Sequence, residues 1–412
     1  MSEKLMKTPL PPGGMGCRAF DHREIEAVTN VLQPSQFLFR YNDEGQCVAF
    51  ERELCERLGV HGALMVQSGT SALTCCLAAW GIGPGDEVIV PAYTYIATAS
   101  AVIDAGAVPV VADIDESLAL DPADVERRIT PYTKAVIVVH MQGVPGRLRE
   151  LRALCRRRNL RLIEDACQAV GSRYDGQYTG VASDAFAWSL NYFKVITCGE
   201  GGVFFSSDPD AFLRGVYAHD PGTPMWKSGL AQGARLAPFV QMGIRGNEIG
   251  AAIARVQLTK LEPMLTQTRA LKKHLIAHLD KPVHYRLQHV DDPEGDCGIS
   301  IAFIAHDKAV ADRMSKRMIE QGLGIGTAHN DGFPDRHIYS YWDAILNKQA
   351  PTPAGYPWKD PAYKGNVQYS RDMCKTSLDI LSRALRLGIN FLMTPQHMEE
   401  IAATVNYADK HA

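Results

Sequence analysis

Three short stretches carry residue types whose spacing could do chemistry. The first, Gln67-Ser68-Gly69-Thr70-Ser71-Ala72-Leu73, follows a short apolar run and opens a helical pattern. Small residues at a helix start let backbone N–H groups and hydroxyls approach an anion, which the helix dipole also favours, so the stretch reads as a phosphate cup; Ser or Thr there serves equally as a plain helix cap. The second, Arg161-Leu162-Ile163-Glu164-Asp165-Ala166, ends an apolar run on two carboxylates, at the kind of strand end where open α/β sheets bind ligands. One of the two should face a site, unless Asp165 only caps the next helix. The third, SLNYFKVITCGEGG from Ser189 to Gly202, sets Lys194 among apolar residues. Burial makes a charged lysine expensive and drives it toward the neutral, nucleophilic amine that Schiff-base chemistry needs; a lysine snorkelling to solvent from a half-buried strand end is the alternative. Gly199-Glu200-Gly201-Gly202 permits either tight turns beside a bound group or a hairpin.

Something must hold these stretches in place. Short apolar runs at Ala63–Val66, Glu87–Val90, Val108–Ala112, Ala135–His140, Arg161–Glu164, Ala185–Ser189 and Gly202–Ser206 alternate with helical stretches. That pattern predicts an α/β fold with a mostly parallel seven-stranded sheet and helices on both faces. Helices are expected near Arg23–Leu32 and Val48–Leu58, and a long one over Asn247–Gln267 that carries a domain boundary. The chain then divides into an N-terminal arm (1–36), a large domain (37–262) and a smaller α+β domain (263–412). The arm is expected to fold back onto the small domain or onto a partner subunit. An inserted segment, 327–372, holds Trp342, Trp358, five tyrosines and several prolines, which predicts an ordered lid or interface. Two glycine clusters are set aside as nucleotide sites. Gly81-Ile82-Gly83-Pro84-Gly85 follows a helix and precedes a strand, the reverse of a dinucleotide fingerprint, and Gly13-Gly14-Met15-Gly16 has no strand before it.

With 412 residues, the chain has length for about two to three domains and a sizeable core. Hydrophobic residues at 46% and charged residues at 22% exclude disorder and fibrous repeats. A formal charge of −3 gives too little field to argue for nucleic acid or an anionic membrane, so small molecules are the default partners. The arginines between Arg147 and Arg161 alternate with leucines and read as a solvated helix face. No window is apolar for long enough to cross a bilayer, and the start MSEKLMKTPLPPGG has no signal-peptide core. Ten cysteines without a C-x-x-C spacing suggest reduced thiols and a cytoplasmic setting, with Cys75 and Cys76 in the core. No His/Cys cluster has metal-ligand spacing, so no metal is expected.

The order of the signals is more specific than any one of them: an anion cup, a strand-end acid about 95 residues later, a lysine 29 residues after that, then the glycine turn. With QSGTSAL, GDEVIVPAYTYIATASAVIDAGAVPVVADID, EDACQAVGS, SDAFAWSLNYFK, GEGG and NEIGAAIARVQLTKLE, the chain from Phe37 to its C-terminal helix resembles the DegT/DnrJ/EryC1/StrS sugar aminotransferases, pyridoxal-phosphate (PLP) enzymes of fold type I.

The resemblance implies PLP as cofactor, cycling through its pyridoxamine form. Lys194 takes the place of the lysine that carries PLP and moves the proton, and Asp165 that of the partner of the pyridine nitrogen. Gln168 stands where the family has a Gln or His beside the ring hydroxyl and Tyr95 where it has an aromatic over the ring. Gly69, Thr70 and Ser189 stand where it binds phosphate. Dehydratase members replace the lysine by histidine, so Lys194 argues against that branch. An amino-acid donor, glutamate by expectation, would pass its nitrogen to the carbonyl of a sugar-type acceptor: a nucleotide-linked ketosugar, a keto-cyclitol or an octulosonate aldehyde. The aromatic insertion resembles that of the subgroup making 8-amino-3,8-dideoxy-D-manno-octulosonate for lipopolysaccharide. The family also implies a homodimer with shared sites, with Arg245 and the loop from His219 to Trp226 as candidates to cross it. Where many members read Asn-Tyr-Arg-Met before the long helix, this chain reads Met242-Gly243-Ile244-Arg245. His219 and His329 are placed near the substrate, and His140 behind the site.

Overall fold

The computed structural model describes residues 4–35, 38–226, 236–330, 332 and 335–412, so the expected boundary at 36/37 lies outside the described residues. Twelve strands are described among them: β1 (Gly62–Val66), β2 (Glu87–Pro91), β3 (Val108–Ala112), β4 (Thr133–Val139), β5 (Arg161–Asp165), β6 (Arg173–Tyr174), β7 (Gln177–Tyr178), β8 (Ala185–Ser189), β9 (Gly202–Ser206), β10 (Tyr285–Leu287), β11 (Ser300–Ala305) and β12 (Ala384–Gly388).

Seven of them form one sheet in the order β1-β9-β8-β5-β4-β2-β3. The pairs β3/β2, β2/β4, β4/β5 and β5/β8 are parallel, and β9 alone runs against its neighbours β8 and β1. Alternate residues point to opposite faces, and both faces are covered. In β1, Leu64 and Val66 enter one apolar cluster while Ala63 and Met65 enter another. In β4, Ile137 and Val139 face one side while Val136 and Val138 face the other. Double-sided burial is why these strands read as unbroken apolar runs. Because β1, β2, β4, β5 and β8 share one direction, the segments leaving their C-terminal ends gather at one edge of the sheet.

The strands β10, β11 and β12 make a separate antiparallel sheet in that order. Helix Glu248–Ala277 links the two sheets. Asn247 caps it, its Oδ1 accepting the Gly250 N–H at 2.8 Å, and it continues past Pro263. Its first half, Ala251 to Leu265, packs in a cluster of the large sheet, and Leu271 and Leu275 pack with Phe303 and Leu385 of the small one. The helix therefore belongs to both cores. The arm lies along the small sheet's helices: the Met6 N–H donates to the Gln321 carbonyl at 3.0 Å and the Thr8 N–H to Glu400 Oε2 at 2.9 Å.

Residues of the 327–372 insertion dock on the large sheet beside β2 and β3. Ile338 bridges Tyr93, the Tyr339 N–H donates to the Ala92 carbonyl at 3.0 Å, and the Tyr369 hydroxyl to the Pro109 carbonyl at 2.6 Å. Ile338, Tyr339, Trp342 and Ile345 are buried in the same cluster as Val88 and Val90. Ile338, Tyr339, Trp342, Ile345 and Tyr369 thus form a packed wall on the sheet edge.

Candidate functional site

The converging strand ends open into a cavity of about 830 Å³, within the range of small-molecule and cofactor sites. It brings together Gly69, Thr70, Tyr95, Asp165, Gln168, Ser189 and Lys194.

At one end lies the start of helix Gly69–Ala79. Ser68 caps it, its Oγ accepting the Ser71 N–H at 3.1 Å, so the capping reading of this stretch holds for Ser68. The first N–H groups of any helix have no intrahelical acceptor, which leaves those of Gly69 and Thr70 suited to an anion. Two glycines keep this end open. A Cβ on Gly69 would lie 2.8 Å from the Ser189 Cβ and 2.9 Å from the Cys167 Sγ; one on Gly202 would lie 2.3 Å from the Ser68 carbonyl oxygen. Only backbone without side chains fits between these segments.

The second end is set by β5. Asp165 and Glu164 are neighbours on the strand, so they face opposite sides. Asp165 lines the cavity: its Oδ2 accepts the Thr98 hydroxyl at 2.8 Å and its Oδ1 the Cys167 N–H at 3.1 Å. Thr98 is steadied by Thr94, oxygen to oxygen 2.8 Å. Glu164 turns away, fully buried, to His140 Nε2 at 2.9 Å, Arg152 Nη2 at 3.1 Å and the Gly180 N–H at 2.6 Å. Burial pushes its carboxyl up, but these partners, His140 foremost, hold it below the usual range, so it stays charged as part of the framework. His140 Nδ1 accepts the Gly146 N–H at 3.0 Å, which puts the ring proton on Nε2, toward Glu164.

Lys194 departs from expectation in its seat. It lies half-buried on a turn in the long β8–β9 connection, its N–H donating to the Asn191 carbonyl at 2.9 Å, while the adjacent Tyr192 and Phe193 are exposed. Antiparallel β8 and β9 flank that connection, so the glycines after it serve a wide hairpin that presents the lysine. The turn is backed by the glycine cluster set aside from sequence: the Gly16 N–H donates to the Lys194 carbonyl at 3.0 Å, and a Cβ on Gly16 would come 2.9 Å from the Thr197 nitrogen. Gln168 Oε1 accepts the Gln142 N–H at 3.3 Å, and Gln142 is held at φ 52°, a left-handed conformation that costs a non-glycine residue about 1–3 kcal/mol.

Neither His219 nor His329 lines the cavity. His219 ends helix Pro209–His219 with 1% exposure, its carbonyl accepting the Ile244 N–H, and neither ring nitrogen has a hydrogen-bond partner among the described residues. Burial, then the nearby Arg40, lowers its pKa to about 3, so the ring is neutral. His329 bonds through its backbone N–H to Leu381 and sets its ring beside Tyr341. The histidine that does reach the cavity is His337, with Arg386 of β12. Arg386 stands at the centre of Ala-Leu-Arg-Leu-Gly, a charge inside an apolar strand, the same signal that singled out Lys194. Thr98 had a weaker one, three residues after Tyr95 in the first turn of helix Ala97–Asp104.

The donor set fits PLP: an anion seat walled by glycines, a carboxylate aimed by two hydrogen bonds, and a lysine on a turn entering the same space. The chain matches the DegT/DnrJ/EryC1/StrS aminotransferase family over residues 19–406. It belongs to that family. It is accordingly a PLP-dependent aminotransferase with the fold-type-I architecture. Solved structures similar to this family member include 3-amino-5-hydroxybenzoic acid synthase, 24% identical with a TM-score of 0.78 over 98% of this chain and 99% of that one. DesV of S. venezuelae, solved with a ketimine intermediate, is 26% identical, with a TM-score of 0.74 and 95% of each chain covered. Helicobacter pylori PseC, an aminotransferase of pseudoaminic acid biosynthesis, is 20% identical, with a TM-score of 0.75 over 97% of this chain and 99% of that one.

Proposed function

We propose that this aminotransferase takes nitrogen from an amino acid, L-glutamate by preference, and delivers it to the carbonyl of a sugar-type acceptor. The observation that carries the reading is Asp165, whose two oxygens are held by Thr98 and Cys167 in the cavity that Lys194 enters. Bound, PLP supplies an aldehyde that exchanges with amines and a ring that takes up carbanion charge. Lys194 Nζ would hold it and would serve as the base that moves a proton during the exchange. Asp165 would keep a proton on the ring nitrogen, which its fixed orientation suits. The N–H groups of Gly69 and Thr70 and the Ser189 hydroxyl would hold its phosphate, and Gln168 and Tyr95 would line the space for its ring.

Among acceptors, the aromatic insertion favours the 8-aldehyde of an octulosonate, and with it a role in lipopolysaccharide sugar synthesis; the likeness to the solved aminotransferases leaves nucleotide-linked ketosugars and keto-cyclitols as alternatives. The protein is further proposed to work as a homodimer. Met225, Trp226, Val240 and Met242 are exposed apolar side chains close in sequence to the half-exposed Arg245, a surface that a second copy would cover. No helix among the described residues is long and apolar enough to cross a membrane, and the ten cysteines are unpaired, which suits a reducing cytoplasm.

The test is the visible spectrum of the purified protein with PLP, before and after L-glutamate. A band that shifts on glutamate and is missing in Lys194→Ala supports the donor half-reaction; PLP bound without response to glutamate would discard that donor, and no chromophore at all would favour a regulatory protein on the same fold. The pyridoxamine-loaded protein is then offered each acceptor class in turn. Light scattering reads the dimer, and a fully active 45.2 kDa monomer would refute it.

A further inference from the structure

The cavity also meets a group of charges that the proposed chemistry leaves unused. Asp335 and His337 of the insertion meet Arg386 of β12 there. Asp335 Oδ1 accepts both the His337 backbone N–H at 3.0 Å and its ring Nδ1–H at 2.6 Å. Asp335 Oδ2 lies 3.6 Å from Arg386 Nη2, an ion pair too long to be a hydrogen bond. Arg386 Nη1 is buried and has no hydrogen-bond partner among the described residues, and the guanidinium lies 5.2 Å from the centre of the Tyr93 ring. Burial lowers its pKa to about 10, which still leaves it charged at neutral pH. An under-committed guanidinium is costly, and the structure around it is rigid: the Thr94 N–H pins the His337 carbonyl at 2.8 Å and Ile338 bridges Tyr93. The His337 ring stands 5.6 Å from the Tyr95 ring.

We infer that Arg386 and His337 form a second anion pole of the cavity that binds a substrate carboxylate, with Asp335 as the positioning residue that orients His337 and tempers the charge. The inference rests on the aminotransferase reading above and names what the substrate must carry. A planar carboxylate offers two acceptors to the guanidinium fork. A diphosphate is a poorer match, because one arginine beside a fixed carboxylate gives too little net charge for it. The carboxylate has two sources: the amino-acid donor, or an acidic sugar acceptor.

Equilibrium binding to the PLP-loaded protein separates them with unreactive probes: glutarate for the donor skeleton, gluconate for a sugar acid, glucitol as its neutral counterpart, and UDP for a diphosphate. Wild type should bind at least one carboxylate more tightly than glucitol. Arg386→Gln should weaken that binding at least about 10-fold, as expected for losing a charge-assisted pair, and Arg386→Lys should restore part of it. His337→Gln should weaken it less. Asp335→Asn, which keeps an acceptor for His337 but removes the competing charge, should tighten it. Loss confined to glutarate assigns the pole to the donor, loss confined to gluconate to an acidic acceptor, and loss of both to a pole used in each half-reaction. Equal carboxylate affinities in wild type and Arg386→Gln, wild-type preference for glucitol, or loss confined to UDP would overturn the inference. The wild-type spectral response to glutamate is read separately, so failure of the aminotransferase reading and failure of this pole give different results. An unchanged PLP band in each variant shows that the fold survives.

Discussion

The two walls of the cavity differ in how far their side chains are already committed. On the large-sheet wall, both oxygens of Asp165 are taken, Gln168 is tied to a backbone N–H, and Gly69 and Gly202 sit where a single added carbon would collide. On the wall formed by the insertion and β12, Arg386 Nη1 has no partner among the described residues. The first wall is preorganised for one ligand that never changes. The second keeps unspent hydrogen-bonding capacity for ligands that come and go. Fixed geometry is worth most where charge develops during reaction, and adaptable geometry where two different substrates share one space.

If that division is real, damage to the first wall should appear in cofactor binding or rate, and damage to the second in substrate affinity alone. The largest expected effect is Asp165→Asn. Losing one preorganised charge should slow the donor half-reaction by about 10²–10³-fold, with PLP still bound. Single-turnover spectra with glutamate measure it, and a loss below about threefold would mean that Asp165 does not hold the proton on the ring nitrogen. Gly202→Ala comes next. Its methyl meets the Ser68 carbonyl, and overpacking of about 1–3 kcal/mol should cost roughly 5–150-fold in PLP affinity, measured by dialysis and rebinding, with stability as control. The Arg386 variants should leave PLP affinity unchanged, and a parallel loss there would erase the contrast between the walls.

The same contrast explains what could be read in the sequence. The seven strands were legible within two residues at each end because burial on both faces leaves unbroken apolar runs, and Val108–Ala112, Ala185–Ser189 and Gly202–Ser206 match the expectation residue for residue. The strand-end pair Glu164-Asp165 was legible as a pair but not in phase, since alternation says that one carboxylate faces a site without saying which. Lys194 was found by a charge among apolar residues, yet its turn conformation was not, because Tyr192 and Phe193 are apolar and exposed. The second wall was illegible for another reason. It joins a loop without periodicity to a strand about 50 residues away, and histidine alone, without its neighbours in space, pointed to His219 and His329 in place of His337. Whether the division at 262/263 describes two folding units is a separate proposal, since the helix through it packs in both cores.

A smaller effect tests how the lysine turn is supported. The arm that is bonded to Gln321 and Glu400 also ends under Lys194 through Gly16, so it joins the small sheet's helices to the first wall. Gly16→Ala would press on the Thr197 nitrogen, in a buried stretch whose neighbour Met15 packs in the core. The expected cost is about fivefold or less in the glutamate half-reaction, because only part of an overpacking strain is felt. An unchanged rate would show that the turn holds its shape without the arm.

The smallest effect concerns stability behind the first wall. His219 is buried, and its carbonyl accepts the N–H of Ile244, whose own carbonyl accepts the Gln67 N–H, so the residue backs the segment leading into the anion seat. Its folded pKa of about 3 lies far below the unfolded value of about 6.5. Above pH 6.5 both states are neutral and His219 adds no pH dependence. Below it, only the unfolded state binds the proton, so stability falls as pH falls, by at most about 1.4 kcal/mol per unit, until the folded pKa is reached. His219→Leu removes that proton, and the difference between the urea stabilities of wild type and variant should shift in the variant's favour by about 1 kcal/mol between pH 6 and pH 5. Carboxylates contribute little to the change in that window, and the subtraction cancels the other twelve histidines. A difference independent of pH would mean that the ring is protonated in the folded protein. The first wall would then carry a positive charge close to its anion seat, and its commitment would be electrostatic as well as steric.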